Sequence, residues 1–500
     1  MSQPPAAPEA LVDEVQGSAP AAGGPPTASD AGRSSSSPPA SSPAPAPPSG
    51  GGSTGGPDEA SRRSRRRRLV AVGLYLLTTL LYFATTARER LAAHTDFNHF
   101  ALLADAWLHG RLDLGGPPPA YSGNNDFAVI DGRYFISFPP FPAVLIAPLV
   151  KLGGGAEHVR DAAFFLGFAG IGPAVLFLAL ERIAASRRSR RSLGENAVLA
   201  GLFALGTVYW FSAVQGTVWF AAHVIGVALA CGYLYCALDA AHPAAAGLLL
   251  GLGFATRTPL GFAAPLFLCE ALRVSRGPRA ATGGPRAATG GSGIAGVDAR
   301  GLGRRLFLFG ASAAAVLAIL LWHNHARFGD ALEFGHRYLA IAWRPRIERW
   351  GLFSYHYLGR NLAVVLTSLP YTGVQGAPFQ INPHGVALWV TTPIYAWAIW
   401  PRRTTAIYWA LAATAGAVAL PSLLYQNSGW VQFGYRFSND FAPFLFAMIA
   451  VSGRRLGAPF YALGAAAIAI NGFGAATFQR AGFERFYFVD RTQKVLHQPD

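Results

Sequence analysis

The chain has 500 residues, of which 52% are hydrophobic and only 13% are charged, against roughly 25% charged residues in soluble domains. An ordinary soluble protein is excluded, because the apolar residues form blocks long enough to cross a bilayer, which takes about 20 residues per helix. The formal net charge of +15 comes from arginines that cluster beside these blocks, and this arrangement excludes nucleic acid as the expected partner. The composition therefore predicts an all-α polytopic membrane protein surrounded by lipid.

The chain begins with a polar segment that precedes the first apolar block. Residues 1–61 are rich in Pro, Ala, Ser and Gly, which predicts a disordered tail. The arginine run at 62–68 directly precedes the first block, so we expect it to hold the N-terminus in the cytoplasm. Lysine occurs only as Lys151 and Lys494, while Arg, Ala, Gly and Pro abound. This usage is typical of a GC-rich genome and favours a bacterial protein, so for a multi-pass membrane protein the expected location is the inner (cytoplasmic) membrane.

The region 69–477 is predicted to be the transmembrane domain, with about 11 helices and a range of 9–13. The predicted spans are 69–86, 161–181, 195–213, 217–240, 243–256, 258–272, 306–323, 384–400, 404–424, 440–453 and 457–477. If they alternate across the membrane, the arginine-rich turns at 182–194, 401–403 and 453–455 lie in the cytoplasm, as the positive-inside tendency requires.

Two apolar stretches need separate treatment for this alternation to hold. Residues 139–152 are short and interrupted by proline, so a re-entrant or interfacial helix is expected rather than a span. The stretch "GLLLGLGFATRTPLGFAAPLFL" is predicted to be a hairpin of two short helices that turns near Arg257 and Pro259. The remaining segments are outer loops at 87–140 and 324–383, a cytoplasmic loop at 273–305 and a C-terminal tail at 478–500.

The first outer loop opens with "HTDFNHFALLADAWLHGRLDL". Its apolar residues recur at helical spacing, which predicts an amphipathic helix on the membrane surface with Asp96 at its N-terminus. Thr95 and Asp96 are well suited to cap such a helix. Alternatively, the Asp96 carboxylate faces a cavity at the bilayer boundary and accepts a proton from an acceptor hydroxyl.

Several stretches resemble integral-membrane glycosyltransferases of the C superfamily (GT-C), such as protein O-mannosyltransferases and aminoarabinose transferases. "TDFNHFALLADAWLHGRLDL" and "NDFAVIDGRYFISFPPFPAVLIAPL" are similar to the family's acidic residue before a juxtamembrane helix and its Tyr- and Pro-rich approach to the next helix. "GLLLGLGFATRTPLGFAAPL", "NHARFGDALEFGHRYL" and "FGYRFSNDFAPFLFAMIA" resemble later family segments in the same order. The similarity covers about residues 69–453. Where the family often has an acidic pair, this chain has Asp96 alone.

The resemblance implies a glycosyltransferase, hexosyl or pentosyl, that uses a sugar carried on a polyprenyl phosphate. The acceptor implied is a lipid, glycan or protein hydroxyl on the outer face of the membrane. Asp96 would then be the general base, and a single displacement would invert the anomeric carbon.

A phosphate leaving group needs fixed positive charge, and two arginines are the candidates for binding the donor phosphate. Arg257 lies at the tip of the predicted hairpin, where an arginine is costly unless it faces a cavity or a partner. Its alternative role is a structural ion pair or interfacial snorkelling. Arg436 is the second candidate, and its alternative role is an ion pair with Asp440 at the start of a late helix.

The outer loop also supplies the residues predicted to contact substrate, namely His99, Asp126, Asp131, Arg133 and Tyr134. The aspartates 126 and 131 are able to ligate a divalent cation together with Asp96, or simply to form turns, as "IDG" suggests. No metal site is assigned and no cofactor is firmly implied.

A second group of residues has a weaker claim to a site. His323 and His325 are two residues apart and would not share a helical face, so a metal site there is not favoured. Tyr209, Trp210 and Trp219 flank "SAVQGT" and are interpreted as membrane-interface anchors, with sugar stacking as the alternative.

Two other function classes compete with the transferase. A transporter or flippase for lipid-linked sugar suits the number of spans, but the sequence lacks the paired halves that many transporters show. A catalytically inactive relative that serves envelope assembly is the third class, and the single acid at position 96 is compatible with it.

Overall fold

The computed structural model describes residues 57–123, 126–276, 296–341, 343–373 and 376–487. The predicted disordered tail lies outside the described residues up to position 56, as do the centre of the 273–305 loop and the end of the C-terminal tail. The first helix begins at Pro57, so the arginine run 62–68 is part of this helix rather than a segment before it.

Helices make up most of the first half of the described chain. Their bounds are α1 Pro57–Thr85, α2 Arg88–Ala92, α3 His99–Leu108, α4 Phe141–Gly153, α5 Asp161–Ala169, α6 Ile171–Ala185, α7 Leu193–Leu205, α8 Tyr209–Ala213, α9 Val218–Ala237 and α10 Pro243–Phe254. Between α3 and α4 the strands β1 (Phe127–Ile130) and β2 (Arg133–Ile136) form an antiparallel hairpin that pairs Phe127 with Ile136.

The second half continues with α11 Ala264–Ser275, α12 Ala299–Phe328, α13 Arg344–Trp350, α14 Leu358–Thr367, α15 Leu388–Thr391, α16 Ala396–Ile399, α17 Ala406–Leu423, α18 Ala442–Val451 and α19 Ala458–Thr477. A second short antiparallel hairpin joins β3 (Tyr371–Thr372) to β4 (Phe379–Gln380). Turns of 3₁₀ helix at Thr258–Ala263 and Arg436–Asp440 precede α11 and α18.

The structure confirms the all-α polytopic membrane class. Within the described residues, six helical stretches are long and apolar enough to cross a bilayer, and they match predicted spans. The other predicted spans are shorter or broken in the structure. The 195–213 span divides into α7 and α8, and the 384–400 span divides into α15, a 3₁₀ turn and α16. Polar and proline-containing breaks of this kind are tolerated where neighbouring helices bury them.

The close packing of the helices depends on small residues at particular crossings. A Cβ atom added to Gly170, between α5 and α6, would lie 2.3 Å from the Thr79 hydroxyl and 2.5 Å from the carbonyl oxygen of Tyr75 on α1. At Gly261, an added Cβ would lie 2.5 Å from the Phe254 ring. This second contact closes the predicted hairpin, which the structure confirms as α10, a break at Arg257, and α11.

The prediction of a surface-lying helix after Asp96 is wrong in its burial. Helix α3 is present, but its residues from His99 to Ala104 are all buried, and they pack with α4, β1 and the start of α9 in one hydrophobic cluster. The sequence of α3 is apolar on nearly every side, which is typical of a buried helix. It therefore forms the base on which the β1–β2 hairpin rests.

Helix α9 defines two ends of the bundle. Its 20 residues span roughly 30 Å at about 1.5 Å per residue, the thickness of the hydrocarbon core of a bilayer. Near its C-terminal end, Arg67 of α1 pairs with Glu181 of α6 at 2.7 Å, and Arg182 donates to the carbonyl oxygen of Tyr235. The arginine run and the turn after α6 therefore lie at the same end of the bundle. The β1–β2 hairpin lies at the other end, by the N-terminus of α9.

Candidate active site

The break after α10 places Arg257 against the residue that ends the Arg436–Asp440 turn. The Arg257 backbone is extended here, and its guanidinium forms a two-point ion pair with Asp440, at 3.1 Å for Nε–Oδ1 and 2.7 Å for Nη2–Oδ2. Asp440 is only 1% exposed. The predicted alternative for Arg257, a structural ion pair, is therefore present, and geometry of this kind is the strongest that arginine and carboxylate form.

His223 of α9 adds a third member to this ion pair. Its Nδ1 atom lies 3.3 Å from Oδ1 of Asp440, and its ring is fully buried. Phe437 lies beneath the Arg257 guanidinium, with 5.2 Å from the guanidinium carbon to the ring centroid. The Asp440 carboxylate is thus shared between Arg257 and His223.

Arg436 is a buried cation with a different environment. Its Nη1 donates to the carbonyl oxygens of Gly429 at 2.7 Å and Trp430 at 3.4 Å, and its guanidinium lies over the rings of Phe220 and Phe437. In the described part of the chain no carboxylate lies within ion-pair distance of it. Burial, followed by the positive charge of Arg257, lowers the pKa of Arg436 to about 9. The predicted Arg436–Asp440 pair is wrong, because Asp440 is committed to Arg257.

Asp126 is the acidic residue whose charge acts on Arg436. It adopts a left-handed backbone with φ 63°, uncommon for a residue other than glycine, and its Oδ2 accepts a hydrogen bond from the Trp219 indole at 2.8 Å. Burial raises the pKa of the Asp126 carboxyl, while the Trp219 hydrogen bond and the charge of Arg436 oppose that rise. Of the predicted substrate contacts, Asp126 is the one that the structure joins electrostatically to a predicted phosphate-binding arginine.

The other predicted contacts of the hairpin lie away from this cluster. Asp131 and Gly132 form its tight turn, both with positive φ, which confirms the turn predicted from "IDG". Arg133 is exposed and pairs with Asp113, and Tyr134 lies opposite Val129. At about 3.3 Å per strand residue, the turn is roughly 15 Å from Asp126. The hairpin therefore separates residues that the sequence had grouped in one cavity.

His99 occupies the base of the hairpin rather than an open surface. Its ring is fully buried and stacks on Phe127, with ring centroids 4.4 Å apart and an angle of 16°. Phe138 approaches the same ring edge-on. This packing supports β1 directly beside Asp126, and contact of His99 with substrate stays a prediction.

Asp96 is exposed and does not cap α3. The residue at the N-cap position is Asn98, and Thr95 is hydrogen-bonded to Asp161 instead, so the predicted capping role of Thr95 and Asp96 is wrong. No hydrogen bond or ion pair engages the Asp96 carboxylate among the described residues. The carboxylate is thus left available to a ligand.

An aromatic residue links the Asp96 segment to the charged cluster. Phe97 packs against Trp219 with ring centroids 4.6 Å apart, and the same indole binds Asp126. Trp219 therefore contacts both segments of the candidate site, which its interpretation as an interface anchor does not include. The other two predicted anchors are buried, since Tyr209 is 0% and Trp210 is 9% exposed, whereas Trp219 is half-buried.

The structure does not assemble the predicted cation ligands. Among the described residues, no group of three or more His, Cys, Asp or Glu side chains is arranged to hold a metal ion. Asp126 and Asp131 are held apart by the length of β1, as described above. His323 is buried against Trp107, while His325 is exposed on α12.

Sequence reasoning missed Asp161, His223 and Asp440 as members of this region. His223 carried a usable signal, because an ionisable residue within an apolar span is a candidate for function. Asp440 was recognised only as a partner for Arg436. Its true partner is 183 residues away in sequence, and no local pattern indicates that pairing.

The chain is similar to solved structures of archaeal oligosaccharyltransferases. Among solved structures, the chain is similar to the apo form of an Archaeoglobus fulgidus oligosaccharyltransferase, with 12% identity and a TM-score of 0.47 over 82% of this chain and 56% of that chain. It is also similar to the archaeal oligosaccharyltransferase AglB from Archaeoglobus fulgidus in complex with an inhibitory peptide and a dolichol-phosphate, with 13% identity and a TM-score of 0.46 over 81% of this chain and 55% of that chain.

The chain thus spans little more than half the length of these proteins. No protein-family model and no curated protein matches the sequence. The GT-C-like class stays a prediction from the sequence resemblance.

Proposed function

We infer that the protein is a membrane glycosyltransferase that moves a sugar from a polyprenyl phosphate to an acceptor hydroxyl, with inversion. The observation that carries this proposal is Arg436, a buried guanidinium with no carboxylate partner in the described chain, beside the Arg257–Asp440 pair. A buried cation of this kind is costly unless an anion neutralises it. A lipid-borne phosphate is an anion suited to a site at the end of a bundle of apolar helices.

The two arginines have unequal roles in this proposal. The charge of Arg257 is balanced by Asp440, so its function is to complete and orient the cluster. Arg436 supplies the net positive charge that stabilises the phosphate as it leaves, and fixed donors of this type are commonly a large contribution to catalysis. The nearby Asp126 carboxyl, held by Trp219, would bind a sugar or acceptor hydroxyl.

Asp96 is the proposed general base, since its carboxylate is exposed and unengaged in the described chain. In the proposed step the acceptor oxygen bonds to the anomeric carbon, and the bond from that carbon to the phosphate oxygen breaks. The electron pair leaves with the polyprenyl phosphate, and the hydroxyl proton passes to Asp96. One displacement of this kind inverts the anomeric configuration.

The arrangement of charge along the bundle supports an outer location for this reaction. The arginine run 62–68 and the arginine-rich turn after α6 lie at the end of α9 opposite the candidate site. By the positive-inside tendency the basic end is cytoplasmic. We therefore propose that the N-terminus is cytoplasmic and that the site faces the outer side of a bacterial inner membrane.

The phosphate site is tested by binding of polyprenyl phosphate alone to the purified protein in nanodiscs. Arg436→Gln is expected to weaken binding by at least about tenfold, a loss of about 1.4 kcal/mol. The matched control is Arg337→Gln, which removes an exposed arginine paired with Glu333 and should leave the affinity unchanged. Equal affinities for wild type and Arg436→Gln would contradict the assignment of the site.

Transfer is tested by supplying a panel of polyprenyl-monophosphate sugars with hydroxyl acceptors and identifying glycosylated products by mass spectrometry. Asp96→Asn should lower the rate by about 10²–10⁴, the range that general-base catalysis supplies. The competing transporter hypothesis gives a different result in proteoliposomes. It predicts movement of the lipid-linked sugar across the membrane without product, and that movement should persist in Asp96→Asn.

A further inference from the structure

We propose that Asp161 and Thr95 form a clamp that positions Asp96 for proton transfer, so that Asp161 is a positioning residue of the reaction. This inference rests on the proposed function, because it gives Asp96 the role of base. It goes beyond that function by assigning a role to a buried carboxylate on another helix.

The first half of the clamp is a pair of hydrogen bonds to one carboxylate. Asp161, the first residue of α5, accepts from the Thr95 backbone N–H at 2.8 Å and from the Thr95 hydroxyl at 2.7 Å. Both residues are buried, with Asp161 2% and Thr95 6% exposed. Within the described residues no cation lies within ion-pair distance of Asp161. The donors of Thr95 therefore satisfy a carboxylate that would otherwise be costly to bury.

The second half of the clamp holds the residue on the other side of Asp96. The backbone N–H of Val218, at the start of α9, donates to the carbonyl oxygen of Phe97 at 3.1 Å. The Phe97 ring packs on Trp219. Asp96 thus has one neighbour bound to α5 and the other bound to α9.

The two anchoring helices are themselves held together beside this segment. Gly216 has φ +78°, and a Cβ added there would lie 2.3 Å from Cβ of Ala162 and 3.6 Å from Cγ2 of Thr95. This close approach presses the turn before α9 against the start of α5. The clamp therefore has a rigid base rather than two independent attachments.

The consequence is a carboxylate that is exposed to a ligand while its backbone is fixed. An exposed aspartate on a mobile loop would have to be ordered in each catalytic cycle. Positioning errors of about 1 Å in a catalytic group are expected to cost about 10²-fold in rate. The clamp removes that cost by fixing Asp96 before substrate arrives.

The clamp is tested by comparing Thr95→Val with Thr95→Ser, because valine loses the hydroxyl at nearly constant shape and serine keeps it. Thr95→Val should lower kcat by about 10–100-fold with the KM for the donor within about twofold of wild type, and Thr95→Ser should restore most of kcat. Thr367→Val is the matched control, since Thr367 is exposed on α14. Wild-type kcat in folded Thr95→Val would overturn the clamp.

Asp161→Asn separates geometry from charge at the same position. Its amide oxygen can still accept from the Thr95 N–H, and its amide nitrogen can donate to the Thr95 hydroxyl oxygen, so the variant should keep more than about half of kcat. A folded Asp161→Asn protein without activity would contradict positioning by hydrogen-bond geometry.

A spectroscopic measurement makes the test independent of turnover. A nitroxide attached through Asp96→Cys, in a chain with Cys236→Ser and Cys269→Ser, should give a broad, immobilised spectrum that narrows when Thr95→Val is added. An equally mobile label in both proteins would overturn the clamp even if no donor sugar has been found. Absence of transfer by wild type, together with an immobilised label, would instead count against the proposed function alone.

Discussion

Two clusters of arginine and carboxylate lie at opposite ends of α9, and they differ in how their charges are balanced. The first, here called the Asp239 network, joins Arg182, Arg188 and Arg273 to Asp239 and Glu270. The second, the Arg257–Arg436 cluster, contains the two arginines of the candidate site with Asp440 and Asp126.

In the Asp239 network every member is engaged by an oppositely charged partner. Arg188 reaches both carboxylates, at 2.6 Å to Glu270 and 2.9 Å to Asp239. Arg273 also pairs with Glu270, at 2.9 Å, and Glu270 is buried. The network ties together the turn after α6, the end of α9 and the end of α11, as a structural device would.

In the Arg257–Arg436 cluster the Asp440 carboxylate is shared by Arg257 and His223, and among the described residues no direct ion pair reaches Arg436. Arg436 donates to backbone carbonyls, and burial followed by the charge of Arg257 lowers its pKa while the Asp126 carboxyl opposes this effect. The same residue types therefore produce a closed network at one end and an open positive site at the other. The difference indicates that burial of an arginine marks a binding site only where its charge remains unbalanced.

The largest effect on stability should come from disrupting the Asp239 network. Glu270→Ala removes the buried carboxylate that Arg188 and Arg273 share and leaves them only the partly exposed Asp239, so it should lower the free energy of unfolding by about 2–3 kcal/mol. Guanidinium unfolding in detergent, followed by tryptophan fluorescence, measures this loss. The transfer rate of the molecules that remain folded should stay near wild type, because the network lies at the other end of α9.

Glu348→Ala is the matched control for that experiment. Glu348 forms an exposed pair with Arg344 four residues earlier, and pairs of this type contribute less than about 1 kcal/mol. If Glu270→Ala is as mild as Glu348→Ala, the Asp239 network is not a structural device and the comparison between the two clusters fails.

Local features around the candidate site could be predicted from the sequence. The turn at Asp131, the break at Arg257 and the choice of Arg257 and Arg436 as site candidates all follow from residue types with strong local preferences or high desolvation costs. The sequence of α3 also predicts a buried helix, since its apolar residues cover nearly every side. The helical spacing of a few large residues is equally compatible with a buried helix, so it does not by itself predict a surface-lying one.

The pairings across the bundle could not be predicted. Arg257 and Asp440 are 183 residues apart, and Thr95 and Asp161 are 66 residues apart. Such contacts depend on which helices become neighbours, and a single sequence carries no signal for this. The same limit explains why the hairpin residues were grouped together, although the length of β1 separates Asp126 from Asp131.

An intermediate effect on ligand affinity is expected when the Arg257–Arg436 cluster is made more positive. Asp440→Asn removes the carboxylate from Arg257 and leaves two arginines without a direct ion pair. Polyprenyl phosphate should then bind more tightly, by up to about tenfold or about 1.4 kcal/mol, even though the apo protein becomes less stable. The measurement is a titration of wild type and variant in nanodiscs at one ionic strength.

Asp330→Asn provides the control for the Asp440 experiment, since Asp330 is exposed and caps the backbone N–H of Leu332. Weaker binding by Asp440→Asn at equal folded fraction would show that Asp440 orients the site more than it neutralises it. The charge of Arg257 would then not differ from that of Arg436 in how it is neutralised.

The smallest effect concerns the pH dependence contributed by Asp126. Burial raises the pKa of this carboxyl in the folded protein, so the folded state binds its proton more tightly than the unfolded state does. Stability must then fall as pH rises from the usual aspartate range to the raised value, and become level above it. Asp126→Asn should abolish this part of the decline, because the amide does not titrate.

The comparison requires unfolding temperatures of apo wild type and Asp126→Asn across mildly acidic to neutral pH. Asp131→Asn, at the exposed turn of the same hairpin, is the control and should follow the wild-type curve. Repeating the measurement with added polyprenyl phosphate tests whether the lipid binds at the Arg257–Arg436 cluster. By occupying Arg436 it would remove the charge that favours ionised Asp126, and the decline should begin at the same pH but continue to a higher pH before it levels. An unchanged end of the decline in the presence of the lipid would place the phosphate away from Arg436.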